Sequence, residues 1–150
     1  MSVKLPKATK HISHLKIARS WYIFDAKDYR LGRLAAEIAK LLIGKHKPNF
    51  SAHLDMGDGV VIINAAKIKV SGRKKESKIY YRHSGYIGNL RQESLGELLK
   101  RDSREVIRKA VKNMLPQNRH KDARIRRLRV FKGEEHDLKE VIFKNVETNK

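Results

Sequence analysis

The order of three segments places the strongest restriction on the fold: an apolar run, an amphipathic helix and a second apolar run. Residues 21–24 are aromatic and β-branched, which predicts a buried strand. Residues 31–43 place their apolar side chains on one face of a helix, and Gly44 is a favourable C-cap. Residues 60–64 are apolar up to the final asparagine, which is typical of a strand covered on both faces. We therefore predict a βαβ unit with parallel strands and a right-handed crossover.

Shorter elements are predicted after this unit. Residues 67–71 alternate between polar and apolar, which predicts a half-exposed strand ending at Gly72, and residues 79–81 predict another strand. Helices are predicted at about residues 94–101 and 104–115, the second ending before Pro116, which lacks an amide proton. Residues 127–131 alternate again and predict a last strand.

Composition divides the chain into three parts. Residues 1–19 form a basic N-terminal arm with no acidic residue, which we expect to become ordered only against a partner. Residues 20–133 contain all the predicted core elements and form a single α/β domain. Residues 134–150 form a C-terminal tail that mixes acids with lysines and has one apolar stretch at residues 141–143.

The charge of the chain indicates a polyanionic partner. The 150 residues include 35 Lys and Arg against 16 Asp and Glu, a formal net charge of +19. A charge of this size opposes folding by self-repulsion and attracts polyanions. Nucleic acid is the natural partner, because its phosphates match this charge density and release counterions when they are neutralised.

Other classes of function lack their sequence signals. Gly44, Lys45 and His46 resemble the end of a P-loop, but that motif needs Ser or Thr after the lysine. Asp55 and Asp58 flank a glycine and are interpreted as turn residues. With no cysteine and no apolar run of about 20 residues, thiolate metal sites and membrane spans are also unsupported. The sequence therefore predicts no catalytic residue, metal, cofactor, small-molecule substrate or membrane partner.

Cationic residues interleaved with rings and polar groups are predicted to bind RNA. Clustered guanidinium and ammonium groups neutralise phosphates, and aromatic rings stack on unpaired bases. The predicted residues are Lys10, Lys16, Arg19, Lys45, His46, Lys47, Arg73, Lys74, Lys75, Lys78, Arg82, His83, Tyr86, Arg91, Arg119, Lys121, Arg124, Arg126, Arg127 and Arg129. Two alternatives stay open: His83 donates to phosphate or packs within its loop, and either Tyr80 or Tyr81 faces the core.

Six motifs in a fixed order resemble the ribosomal protein L13 family of the bacterial or organellar type. They are WYIFDA (21–26), LGRLAAEIAKLLIGKHKP (31–48), DMGDGVVIINAAKIKVSG (55–72), KIYYRHSGY (78–86), AVKNMLPQN (110–118) and KGEEH (132–136). The chain departs from the family's usual pattern at a few positions. It has Ile87 and Asn89 where Pro and Gly are common, and Asn113 where Gly is common. Family members also often have Leu-Gly near His120 and Lys121.

The resemblance implies both a fold and a role. The implied fold is a three-layer α/β/α domain with a largely parallel four-stranded sheet. The implied role is that of a structural protein of the large ribosomal subunit, which binds large-subunit rRNA beside neighbouring ribosomal proteins and supports early assembly without catalysis. The implied location is the cytoplasmic ribosome of a bacterial-type cell, or an organellar ribosome.

Two other classes of function share part of this evidence. A free-standing regulatory module for messenger RNA would have the same charge but would not need the ordered family motifs. An enzyme acting on a phosphorylated substrate would use the same βαβ scaffold, and retention of a nucleotide through purification would favour it. A basic protein of membrane surfaces fits least, because no predicted helix pairs a bulky apolar face with a wholly cationic one.

Overall fold

The computed structural model describes residues 17–136, 138 and 143–145. Its strands are β1 (Trp21–Asp25), β2 (Gly59–Ile63), β3 (Ile79–His83), β4 (Leu90–Ser94), β5 (Leu128–Val130) and β6 (Phe143–Asn145). Its helices are α1 (Leu31–Ile43), α2 (Lys74–Ser77), α3 (Leu95–Met114) and α4 (Lys121–Arg126), with short 3-10 turns at Ala26–Asp28 and Ala65–Lys67. Lys10 and Lys16, which are predicted to bind RNA, lie outside the described residues.

The central sheet is parallel, with the strand order β5-β2-β1-β6. Strand β1 pairs with β2 on one side, with Tyr22 opposite Val60, and with β6 on the other. Strand β2 also pairs with β5, with Val61 opposite Arg129. The predicted α/β class is therefore confirmed, as are the parallel pairing of the first two strands and the strand at residues 127–131. Strand β6 comes from the segment assigned to the C-terminal tail.

The main core lies between this sheet and the helices α1 and α3. Leu34, Ile38 and Leu42 of α1 are fully buried, as the apolar stripe of the sequence predicts. They belong to one apolar cluster with Val60 and Ile62 of β2 and with residues of α3. Val61, which alternates with them along β2, is also fully buried, in agreement with a strand covered on both faces.

Helix α3 is interrupted at Asp102, between the two helices predicted from the sequence. Asp102 has φ −149° and ψ 97°, outside the helical region. Its carboxylate accepts a hydrogen bond of 3.0 Å from the Arg104 N–H, as an N-cap does for the segment that follows. At the start of α3, Ser94 and Glu97 form a capping box. The predicted pair of helices is therefore confirmed as two segments of one element.

Two predictions for residues 67–94 need correction or completion. The prediction of a half-exposed strand at residues 67–71 is wrong. Asn64 turns the chain at φ +56°, and within residues 67–71 only Lys69 forms a β-bridge, with Arg30. Strand β3 is confirmed, but its antiparallel partner β4 was not foreseen. Gly85 and Gly88, both with positive φ, lie in the loop that joins them into a hairpin.

The loop before β2 passes close to the carboxyl end of α1. Gly44 ends that helix in the left-handed conformation, at φ +89°. The Asp58 N–H donates to the Leu41 carbonyl over 3.1 Å. At Gly57, a Cβ atom would lie only 1.8 Å from the Leu42 carbonyl oxygen. This contact requires glycine and fixes the positions of Asp55 and Asp58, which flank it.

The variant Gly57→Ala is therefore expected to destabilise the protein by about 1–3 kcal/mol, because the loop must move away from α1 to admit a methyl group. Urea unfolding measures this change in the free energy of unfolding. Gly133→Ala is the matched control, since a Cβ there meets no atom within 4 Å. Equal stability of the two variants would contradict the close approach.

Candidate nucleic-acid interface

Asp55 is the centre of an ion-pair cluster that joins the loop before β2 to α4 and the residue after it. Arg127 grips its carboxylate with two hydrogen bonds, of 2.6 and 2.7 Å. The Arg124 Nε donates to Oδ1 over 3.3 Å, and the Arg124 side chain is only 2% exposed. Burial raises the pKa of Asp55, but the hydrogen bonds and charges of Arg127 and Arg124 outweigh it, so the pKa lies below its ordinary value.

Asp58 is the centre of a second cluster, at the carboxyl end of α1. Its side chain is 1% exposed, and its oxygens lie 2.6 Å from the Lys47 Nζ and 2.7 Å from the His46 Nε2. The Ser20 N–H also donates to Oδ1, over 2.9 Å. Lys47 donates further to the carbonyls of Ala18 and Met56. The cluster therefore ties the entry to β1 to the loop before β2.

These two clusters correct the interpretation of Asp55 and Asp58 as turn residues. Between Glu37 and Glu76 they are the only acids in the chain, and that scarcity was a signal that they serve as counter-charges. The structure places the Arg124 side chain inside the protein. It turns the Lys47 and Arg127 side chains inward as well, with 20% and 16% exposure. Lys121 is buried too, with its Nζ donating to the Gln117 side chain over 2.7 Å.

In residues 67–92, by contrast with these inward-facing cations, the cations are exposed and acids are nearly absent. The segment has one acid, Glu76, and eight cations. The eight are Lys67, Lys69, Arg73, Lys74, Lys75, Lys78, Arg82 and Arg91, and all are exposed. None of them forms an ion pair with another residue in the described part of the chain. This segment therefore presents a surface of unneutralised positive charge.

The β3–β4 hairpin within this segment exposes rings and cations together. Tyr80 is the inward ring, with the Lys109 Nζ 5.1 Å from its centroid, while Tyr81 is 64% exposed. Tyr86, in the loop, is 77% exposed. Arg82 and Arg91 are directly opposite each other in the register, and like charges in that position repel. An anion between them would remove that repulsion.

His83 is engaged in the hairpin turn. Its Nδ1 accepts a hydrogen bond of 2.9 Å from the Gly85 N–H, and Gly85 itself has φ +98°. The Nδ1 atom of His83 is therefore used within the turn. The ring remains exposed at the surface.

The remaining predicted cations lie in other places. Lys45 and Arg119 are exposed, and Arg19 is 47% exposed beside Asp55. Arg126 and Arg129 are also exposed and line an open groove of about 740 Å³. Arg108 of α3, which is not among the predicted residues, lines the same groove. Its position on the polar face of α3 was the available signal.

Two further findings concern other kinds of site. In the described part of the chain, no group of three or more His, Cys, Asp or Glu side chains is placed to hold a metal ion. No helix among the same residues has both the length and the apolar character that crossing a bilayer requires.

These observations define a class: a basic α/β protein that neutralises some of its cations internally and exposes the others on an acid-poor surface. The family model for ribosomal protein L13 matches residues 19–137. The chain therefore belongs to the ribosomal protein L13 family, which confirms the resemblance drawn from its motifs. This is a family of ribosomal proteins and not of enzymes, in agreement with the sequence analysis.

Curated relatives carry the name "Large ribosomal subunit protein uL13". The protein of Nitratidesulfovibrio vulgaris is 52% identical over 80% of this chain and 83% of its own length. That of Dehalococcoides mccartyi is 53% identical over 80% of this chain and 84% of its own. That of Lawsonia intracellularis is 49% identical over 85% of each chain. The similarity thus extends over most of both chains in each comparison.

Proposed function

We propose that this protein is a structural constituent of the large ribosomal subunit, where it binds large-subunit rRNA and supports early assembly. Family membership and the names of the relatives support this role. Its partners are the rRNA and neighbouring proteins of the subunit, in the cytoplasmic ribosome of a bacterial-type cell. The protein contributes binding and positioning, and no chemical step is assigned to it.

The observation that carries the proposal is the acid-poor surface of residues 67–92. Its eight cations have no anionic partner in the described part of the chain, so a polyanion supplies the missing counter-charge. Arginines grip two phosphate oxygens at once, and lysines act as point charges. We assign phosphate contacts to the exposed cations of this surface and to Lys45, Arg119, Arg126 and Arg129. The arm residues Lys10 and Lys16 are assigned from the sequence alone.

The hairpin is assigned to unpaired bases. Sequence-specific binding of RNA uses unstacked bases that lie on aromatic rings, and Tyr81 and Tyr86 are exposed enough to receive them. Arg82 and Arg91 would hold the phosphate of the same strand between them. The hairpin therefore combines a stacking surface with a phosphate clamp.

The inward-facing cations are assigned a different task. Arg124, Arg127 and Lys47 position the loops that carry the exposed cations, and they act through Asp55 and Asp58. Lys121 holds the start of α4 through its hydrogen bond to the Gln117 side chain. His46 is 29% exposed and is assigned to both tasks, since its ring lies between Asp58 and solvent.

We also propose that the domain keeps a three-layer α/β/α arrangement around a four-stranded sheet. The complete burial of Val61, on the face of β2 opposite Val60 and Ile62, supports a layer on each side of the sheet.

Crosslinking in cells tests the proposed function. The tagged protein is irradiated with ultraviolet light, the crosslinked RNA is sequenced, and the sedimentation position of the protein is recorded. We expect crosslinks on a few large-subunit rRNA segments and sedimentation with large subunits. Crosslinks scattered over messenger RNA would support a regulatory module instead, and nucleotide retained through purification without rRNA crosslinks would support an enzyme.

A further inference from the structure

A cleft of about 200 Å³ lies where the amino end of α1 meets the carboxyl end of α3. Arg30 and Lys69 line it, and their backbones form a parallel bridge. One of the hydrogen bonds of that bridge runs from the Leu31 N–H to the Lys69 carbonyl, over 3.0 Å. Lys74 and Lys78 of the α2 segment also line the cleft, joined by a backbone hydrogen bond of 3.2 Å. Four cationic residues therefore line one cavity, and each pair is joined through its backbone.

The lining combines these cations with an apolar surface. No acidic side chain lines the cleft, and the first turn of α1 contains none either. Val70, Leu95 and Met114 supply apolar surface between the cations. Leu95 is 1% exposed, whereas Met114 is 43% exposed, so part of this surface is open to a ligand. The cleft thus offers positive charge and an apolar surface to the same ligand.

We propose that this cleft holds one unpaired nucleotide of the bound RNA, which deepens the proposed rRNA-binding function and rests on it. The base lies against Val70 and Met114, and the phosphate lies among the cations. Asn113, which also lines the cleft, offers an amide donor and acceptor to the edge of the base.

The size of the cleft favours a nucleotide within a polymer over a free small molecule. Pockets for free ligands span roughly 300–1,000 Å³, because such a ligand must gain its whole affinity in one place. A cleft of about 200 Å³ is smaller than that. A nucleotide of an RNA chain that is already bound through other phosphates needs little additional affinity.

Photocrosslinking at the apolar surface tests the proposal with purified full-length protein and purified large-subunit rRNA. A benzophenone amino acid replaces Met114 in one protein and Lys112 in a control. Lys112 is exposed on the same helix but does not line the cleft. Binding of the rRNA is measured first, and the crosslinked nucleotides are then mapped. We expect a crosslink from position 114 to one nucleotide or two adjacent ones, and at least about tenfold less of that product from position 112.

A second arm removes two cations of the cleft. Arg30→Gln with Lys69→Gln is expected to abolish the crosslink from position 114 and to reduce the slope of log K against log salt by about 1, as for one lost phosphate contact. Arg33→Gln with Lys40→Gln removes the same charge from exposed positions of α1 that do not line the cleft and is expected to leave the crosslink in place.

The outcomes separate this inference from the proposed function. Tight rRNA binding without a crosslink from position 114 would overturn the assignment of a nucleotide to the cleft but would not contradict the proposed function. Failure of the unmodified protein to bind rRNA overturns both. Adenosine monophosphate at millimolar concentration is the probe for a free nucleotide. A thermal shift with it that the Arg30 and Lys69 variant loses would show a free-nucleotide site and overturn the assignment to polymeric RNA, whereas no shift is the expected result.

Discussion

Replacing Arg73, Lys75, Arg82 and Arg91 with glutamine is expected to weaken binding to large-subunit rRNA about a hundredfold or more at physiological salt. Each side chain is exposed and without an anionic partner in the described part of the chain, so each is free to neutralise a phosphate. Four lost phosphate contacts should reduce the slope of log K against log salt by about 3–4. The four residues lie outside the lining of the cleft at α1, so the two sets of variants change different residues. Filter binding over a range of salt concentrations measures both quantities.

The control removes the same charge elsewhere. Arg33, Lys40, Lys100 and Lys112 are exposed and are not among the residues predicted to bind RNA. Their replacement with glutamine lowers the net charge equally but should cost much less affinity, because only the long-range attraction is reduced. Equal losses in the two variants would show that net charge and not the surface of residues 67–92 determines binding.

The elements that the sequence predicted have signals contained within their own residues. The apolar stripe of α1 and the continuous apolar run of β2 indicate which of their faces are buried, whatever elements pack against them. Strand β4 has no such signal, since Leu90–Ser94 is mostly polar and mostly exposed. It is a strand because β3 pairs with it across a loop with two positive-φ glycines. A strand defined by its partner cannot be recognised from its own side chains.

The candidate interface shows the same division. The local density of cations in the sequence indicated a polyanionic partner and showed which segments carry the positive charge. It did not indicate which cations point outward: Arg126 is exposed, whereas Arg124, two residues before it, is buried. That difference depends on Asp55, which lies 69 residues away in the chain. An ion pair between distant segments has no periodicity or spacing that a single sequence displays.

Asp55→Asn is expected to lower the free energy of unfolding by about 3 kcal/mol at neutral pH. The Arg124 side chain is 2% exposed and would lose its anionic partner. Arg127 would lose the larger part of its contact with position 55. Breaking a buried pair by removing one partner costs roughly 3–5 kcal/mol, and we expect the lower end because Asp55 is 15% exposed. Asp122→Asn, an exposed position in α4, is the control and should change stability by less than about 0.5 kcal/mol.

The effect of Asp55→Asn should also depend on pH. The folded-state pKa of Asp55 lies below its ordinary value of 3.8, so its stabilisation is complete above that value and is lost as the pH falls through the folded pKa. Below that point the wild-type side chain is protonated and resembles asparagine. The stability difference between the two proteins should therefore shrink steadily as the pH falls below about 4. The other carboxylates with lowered pKa, such as Asp102 and Glu105, are present in both proteins and cancel. Urea unfolding of the pair across the acid range measures this, and a difference that stays constant with pH would show that Asp55 stabilises the fold through packing and not through its charge.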